Sequence, residues 1–342
     1  MRAVAARSGQ LRMVEIARPE PAEGEVLVKN LACGICGSDL HFMLYGEEMM
    51  RGSSQSGNAQ FAPDFSRDIV MGHEFCCEIV GYGPNTPERL PVGSRITSVP
   101  SKGAYSNVYP GGYSEYMVLD AGMVLPVPDH VSTEEAATTE PMAVGLHAVR
   151  AGQFTGGEPA VVYGCGPVGL ATIASLRNEG AGTIIASDFS PRRRELAGIM
   201  GADIVVDPRE TPPMEALRGQ GYQDGSDVVM FDAIGVRGTI AMTMREAPQR
   251  GGRIVVVGVC MQDDTITPMA GIEKELALKF VLGYTPDEFA EALDGIAGGA
   301  IDPKPIITGK VSLDGVEAAF QTLGQPEEHC KIIVTPHEEN SI

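Results

Sequence analysis

The sequence predicts an α/β protein in two parts, an antiparallel β region and a doubly wound parallel sheet. Two observations carry the prediction. Residues 1–40 alternate polar and apolar positions between turn signals, as in "LRMVEI" and "GEVLVKNLAC", and residues 73–83 and 94–99 continue the alternation. From residue 160 onward, short apolar runs instead alternate with stretches of helical spacing.

The elements follow in order. "AVVYG" (160–164) is a strand, and a Gly-rich turn leads into the helical "LATIASLRNEG". "TIIASD" (183–188) is the next strand, followed by a helix from Ser190 to Gly201 and the strand "DIVVD" (203–207). "DVVMFDAIG" (227–235), a helix near Thr239–Ala247, "RIVVVGV" (253–259) and "LKFVLGY" (278–284) complete six strand positions with mostly helical connections. Residues 49–63, polar and rich in Gly and Ser, read as loop.

At 342 residues the chain has room for two domains with real cores. Its net charge of −19 argues against binding a nucleic-acid backbone, which needs clustered positive charge. No apolar run is long enough to cross a bilayer, and "MRAVAARSGQLRMVEI" lacks a signal-peptide core, so a cytoplasmic protein with no membrane partner is expected. Seven cysteines, two of them adjacent at Cys76 and Cys77, do not suggest a disulfide framework.

"VVYGCGPVGLA" sets Gly164, Gly166 and Gly169 in G-x-G-x-x-G spacing between a strand and a helix. The first glycine suits a tight turn, the second admits a pyrophosphate to the backbone, and the third lets helix and strand pack closely. Asp188 ends the following strand, where a carboxylate accepts from the adenosine ribose. Ser190 before Pro191 is the better helix cap, leaving Asp188 for the nucleotide. The expected cofactor is NAD rather than NADP. A 2′-phosphate would face Asp188, although Arg192, Arg193 and Arg194 lie nearby. Cys165 reads as a small side chain within the loop.

"NLACGICGSDLHF" (30–42) contains a C-x-x-C pair, Cys33 and Cys36. A zinc ribbon needs a second such pair, which the chain lacks, and a redox pair belongs at the start of a helix in a thioredoxin-like unit. Cys36 therefore reads as a lone ligand and Cys33 as its buried neighbour. His73, Glu74 and Glu140 are the other candidate ligands. Thiolate, imidazole and carboxylate drawn from distant segments, with one position left for water, make a catalytic zinc site.

"GICGSDLH", "MGHEF", "EPMAVGLHA", "GCGPVGL", "SDFSPRR" and "GGRIVVVG" together resemble the zinc-dependent medium-chain alcohol dehydrogenases, specifically the sorbitol and threonine dehydrogenase-like branch. The resemblance runs through nearly the whole chain. It implies a GroES-like catalytic domain from residues 1–141 and 286–342 around a Rossmann domain at 142–285, and a homo-oligomer, dimer or tetramer. It implies reversible oxidation of a small alcohol or polyol to an aldehyde or ketone, with hydride passing to NAD. Cys36, His73, Glu74 and Glu140 carry over as ligands, with either glutamate in direct contact. Ser38 would accept the alcohol proton, the ribose hydroxyl would relay it, and His41 would release it to solvent. Asp39 would orient a ligand or the local turn, and His147 would pack. Val257, Gly258, Val259, Val281 and Leu282 beyond two strand ends, with Val168, would contact the nicotinamide side, and Arg193 the adenine or ribose.

Two departures stand out. "SVPSKGAYSNVYPGGYSEY" lacks the cysteines of the family's structural-zinc lobe, so one catalytic zinc and no structural zinc are expected. The stretch between Cys36 and His73 is long, with the excess in residues 44–68, which is expected to border the substrate cleft. The competing readings are a zinc-free quinone-reductase-like member and a non-catalytic nucleotide-binding protein. The Cys/His/Glu set counts against the first, and the Ser38/His41 pair against the second.

Overall fold

The computed structural model describes residues 1–55, 57, 63–325 and 327–338, with only the backbone at Ser53. The chain opens with a hairpin, β1 (Arg2–Arg7) and β2 (Gln10–Glu15), whose two-residue turn takes positive φ at Ser8 and Gly9. The main β layer follows as β3 (Glu25–Gly34), β4 (Glu74–Tyr82), β5 (Arg95–Ser98), β6 (Tyr116–Asp120) and β7 (Val124–Pro126). Between β3 and β4 lies α1 (Gly37–Gln55), kinked at Tyr45, whose backbone leaves helical values (φ −132°, ψ 25°). The loop reading of 49–63 thus gives way over Met49–Gln55, which continue the helix. Residues 56 and 58–62 of that stretch lie outside the described residues. Glu47, Glu48 and the two methionines after them are good helix formers, and they override the polar tract that follows.

A capped α2 (Thr133–Ala137) and α3 (Thr139–Ala151) lead to the parallel sheet. Its elements alternate as β8 (Ala160–Tyr163), α4 (Pro167–Asn178), β9 (Ile184–Ser187), α5 (Pro191–Ile199), β10 (Ile204–Val206), α6 (Pro213–Gly219), β11 (Val228–Asp232), α7 (Thr239–Glu246), β12 (Gly252–Val256), α8 (Pro268–Lys274) and β13 (Ala277–Phe280). The strand order is β10-β9-β8-β11-β12-β13, all parallel. This is the doubly wound order, and it reverses direction between β8 and β11. The six strands fall where the sequence puts them, each ending short of its predicted C-terminal limit. The last is the most trimmed, with Val281–Tyr284 beyond it.

After α9 (Pro286–Ala297) the chain returns to the β layer. There β14 (Ile307–Val311), α10 (Val316–Leu323) and β15 (Lys331–Val334) complete a seven-stranded sheet of order β14-β15-β3-β4-β5-β7, with β6 also paired to β3. That sheet is therefore built from both ends of the chain. Two registers matter for the site. Gly34 of β3 lies opposite Glu74 of β4 on one side and Ile333 of β15 on the other. Ala160 and Val162 of β8, Val255 of β12 and the core residues of α4 form one buried cluster with Phe289, Ala292 and Ile296 of α9 and with Ala32 and Cys76 of the β layer.

Candidate active site

The register brings two remote segments to one point. Cys36 follows β3, His73 immediately precedes β4 and Glu74 begins it, and one ligand atom from each lies within 4.8 Å of the others. Among the described residues this is the one group of that kind. His73 and Glu74 are buried. Glu74 does not stand alone, because Lys331 of β15 is fully buried beside it and donates to Oε1 at 2.6 Å and Oε2 at 2.7 Å. Lys331 also donates to the Ile35 carbonyl at 2.9 Å. The missing side chain at Gly34 makes this possible, since a Cβ there would run into the Glu74 carboxylate.

Asp39 sits in the first turn of α1, fully buried. Its Oδ2 accepts from the Tyr113 hydroxyl at 2.6 Å and from the Cys36 N–H at 3.4 Å. Its Oδ1 faces His73 Nδ1 at 3.5 Å, and neither of these two atoms has a hydrogen-bond partner among the described residues. A carboxylate behind the imidazole fixes ring orientation and leaves Nε2 forward, as behind a metal-bound histidine. Ser38 Oγ lies 3.4 Å from that Nε2.

The charges favour a cation here. Burial alone would lower the pKa of His73, but the negative charges of Asp39 and Cys36 outweigh it and hold the imidazole well above its ordinary value. Burial pushes the Glu140 carboxyl up to about 7, with His73 opposing the rise. Glu140, in the first turn of α3, stands outside the tight trio, with Tyr284 close by. A thiol, an imidazole and a carboxylate converging in a buried site that favours positive charge fit a zinc ion.

His41, half-buried on α1, lies near the Val259 backbone in the loop beyond β12. Burial lowers its pKa. Cys33 is buried, and all seven cysteines are free. His147 does more than pack, because its Nδ1 pairs with Glu288 Oε2 at 2.9 Å and ties α3 to α9.

The loop after β8 lies at the reversal of the parallel sheet. Gly164 has φ +89°, and a Cβ at Gly169 would strike the Gly164 carbonyl oxygen, so both positions require glycine. Gly166 caps α4, and the space its Cβ would enter is open. That opening, at a helix N-terminus, suits a pyrophosphate. Ser190 caps α5 through the Arg193 N–H at 3.1 Å.

Asp188 is less free than its position in the sequence suggests. Its Oδ2 accepts from the Cys165 N–H at 2.8 Å and its Oδ1 from the Ser190 N–H at 2.9 Å, leaving one lone pair on each oxygen. Arg193 Nη1 is 3.9 Å from Asp188 Oδ2, and its Nε is buried without a hydrogen-bond partner among the described residues. Arg192 and Arg194 are engaged elsewhere, with Glu195 and with Asp207. Val257 is buried, Val168, Gly258 and Val281 are half-buried, and Val259 and Leu282 are exposed.

The comparisons agree with this geometry. Residues 22–129 match the alcohol dehydrogenase GroES-like domain, and residues 167–298 match the zinc-binding dehydrogenase family. The chain is 33% identical to the (R,R)-butanediol dehydrogenase of Bacillus subtilis (strain 168), over 96% of this chain and 97% of that protein. It belongs to the zinc-dependent medium-chain alcohol dehydrogenases. It is 28% identical to the sorbitol dehydrogenase of the same organism, over 98% of this chain and 97% of that protein. The crystal structure of 2R,3R-butanediol dehydrogenase from Bacillus subtilis superposes with a TM-score of 0.82 at 30% identity, covering 98% and 99% of the two chains. As a member of this family the protein is an oxidoreductase that interconverts alcohols or polyols with carbonyl compounds, using zinc and a nicotinamide dinucleotide. No described helix is long and apolar enough to cross a membrane.

Sequence reasoning missed Lys331, Tyr105, Tyr113 and Tyr284. A lone lysine inside the apolar run "CKIIV" was the one available signal, since a buried lysine needs an anionic partner. The tyrosines lie in segments without a recognisable motif.

Proposed function

We propose that the protein is an NAD-dependent dehydrogenase of vicinal diols or related polyols, with one zinc per chain. The observation that carries the reading is the buried convergence of Cys36, His73 and Glu74 in a chain that also carries a doubly wound, nucleotide-binding sheet. The similarity to a butanediol and a sorbitol dehydrogenase supports the substrate class. When bound, zinc supplies Lewis-acid polarisation of the substrate hydroxyl, and the nicotinamide supplies the hydride acceptor.

The chain's own residues do the rest. Cys36, His73 and Glu74 hold the metal, and Glu140 is the carboxylate positioned to exchange with Glu74. Asp39 orients His73. Ser38 Oγ takes the substrate proton, and His41 releases it at the boundary between the two halves. Gly164, Gly166, Val168 and Gly169 receive the pyrophosphate end of the cofactor. Asp188 accepts from the adenosine ribose, with Arg193 beside it. Val257, Gly258, Val259, Val281 and Leu282 border the nicotinamide. The division of the chain at 141/142 and 285/286 belongs to the same reading.

A second copy pairs along the open edge of β13, because Phe280, Leu282, Ile272 and Met269 expose apolar surface there and an unpaired edge strand invites pairing. The test combines elemental analysis, size by light scattering and nicotinamide absorbance with a panel including (R,R)-2,3-butanediol and sorbitol. One zinc per chain, an oligomer and turnover with NAD on vicinal diols are expected. Two tightly bound zincs, or no turnover across the panel, would overturn the reading.

A further inference from the structure

The segment at 99–112, where the family's cysteine lobe is missing, delivers a side chain to the site. Tyr105 packs its ring face to face on Phe42 of α1, centroids 4.5 Å apart and planes 12° from parallel. Phe42 is itself wedged edge-on by Phe65, at 5.3 Å. Asn107 clamps this arrangement. Its Nδ2 donates to the carbonyls of Asp64 (3.0 Å) and Asp68 (3.2 Å), and its Oδ1 accepts from the Asp64 N–H at 2.7 Å. The Tyr105 ring also meets the His73 ring edge-on at 6.0 Å. The tyrosine is thus held on three sides, and its hydroxyl donates to Ser38 Oγ at 3.0 Å.

We propose that Tyr105 is a positioning residue for the proton relay, fixing the Ser38 hydroxyl so that it accepts a proton from the substrate and passes its own on. The argument is a count of lone pairs. A serine hydroxyl has one hydrogen and two lone pairs and rotates among three staggered positions. Donation from Tyr105 occupies one lone pair. With His73 Nε2, 3.4 Å away, committed to the metal, what remains is one acceptor site and one donor, the pair a relay group needs. The proton balance is simple: the substrate O–H gives its proton to Ser38 Oγ, Ser38 releases its original proton toward the exit, and Tyr105 ends unchanged.

This inference rests on the proposed dehydrogenase reading. Its test is a double-mutant cycle of Tyr105→Phe with Ser38→Ala, using (R,R)-2,3-butanediol and NAD. Tyr105→Phe keeps the ring on Phe42 and deletes only the hydroxyl. The expected result is a fall in kcat of about tenfold, the scale of one hydrogen bond between polar groups in a buried site. The solvent deuterium isotope effect on kcat should rise. Zinc content, the melting temperature and NADH affinity read by fluorescence should stay at their parent values. In the Ser38→Ala background the Tyr105→Phe change should have no further effect on kcat. Equal kcat and isotope effect in Tyr105→Phe and the parent would overturn the inference, as would the same kcat loss with and without Ser38. A parent enzyme inactive on the whole alcohol panel would overturn the dehydrogenase reading itself, and this assignment with it.

Discussion

Between Gly164 and Arg193 the chain builds its nucleotide loop almost unaided, in one run of strand, turn, helix, strand and helix. The candidate metal centre has no such run. Cys36, His73 and Glu74, Tyr105, Tyr113 and Lys331 come from four stretches of chain, the last separated from the first by the whole parallel sheet. The bonds differ accordingly. In the loop, polar side chains satisfy nearby backbone groups, as Asp188 does for Cys165 and Ser190. At the metal centre, buried charges satisfy each other across strands, as Lys331 does for Glu74. A site of the first kind tolerates loss of one contact. One of the second kind leaves an uncompensated buried charge when a partner goes.

The sharpest way to separate the two sites is Cys36→Ser. Turnover should fall by about a thousandfold or more, because a Lewis acid supplies several kcal/mol of transition-state stabilisation. NADH fluorescence titration should give an unchanged dissociation constant. Full activity without bound zinc would show that the trio is not the metal site.

Lys331→Met tests the buried pair directly. It leaves Glu74 without its cation, so urea unfolding should register a loss of about 3–5 kcal/mol. Because a metal ion would partly replace the lysine's charge, the loss should be larger after chelation than before it. Equal losses in both states would mean that Glu74 does not share its charge with a metal.

Asp188→Ser addresses the nucleotide loop. The parent should favour NAD over NADP by roughly a hundredfold in kcat/KM, as expected where a 2′-phosphate meets a carboxylate at about 3 kcal/mol. The variant should narrow that gap mainly through better use of NADP, with Arg193 meeting the phosphate. A parent that prefers NADP would refute the ribose-binding role of Asp188.

His41→Gln is the mildest change, since the proposed relay ends at His41. Oxidation requires His41 neutral, and burial lowers its pKa from the ordinary 6.5. The parent's rate should therefore hold down to below pH 6.5 and then fall as the imidazole takes a proton. The variant should lose about tenfold in kcat, at or below the low end of acid–base contributions, and should also lose that acid limb. An unchanged pH profile would place proton release elsewhere.

The glycine spacing at 164–169 and the alternation of strand and helix after residue 160 are local properties, governed by φ preference and by the periods of helix and strand. The nucleotide fold could therefore be read without coordinates. The residue types gathered at Cys36, His73 and Glu74, the candidate metal site, were also legible, because short motifs surround them. Three things were not legible. One was the helical extension through Met49–Gln55, where good helix formers prevailed over a polar tract. Another was the two backbone bonds that occupy Asp188, which depend on how the turn after β8 meets the end of β9. The last was the company the ligands keep. Lys331 meets Glu74 only because β15 pairs with β3 in a register that opposes Ile333 to Gly34, while β4 sets Glu74 against that same glycine. Tyr105 reaches Ser38 only because Asn107 and Phe42 pin a segment that has no motif of its own. Residue chemistry is written in the chain. Strand pairing between its two ends decides which buried charges face each other, and no local pattern encodes that pairing.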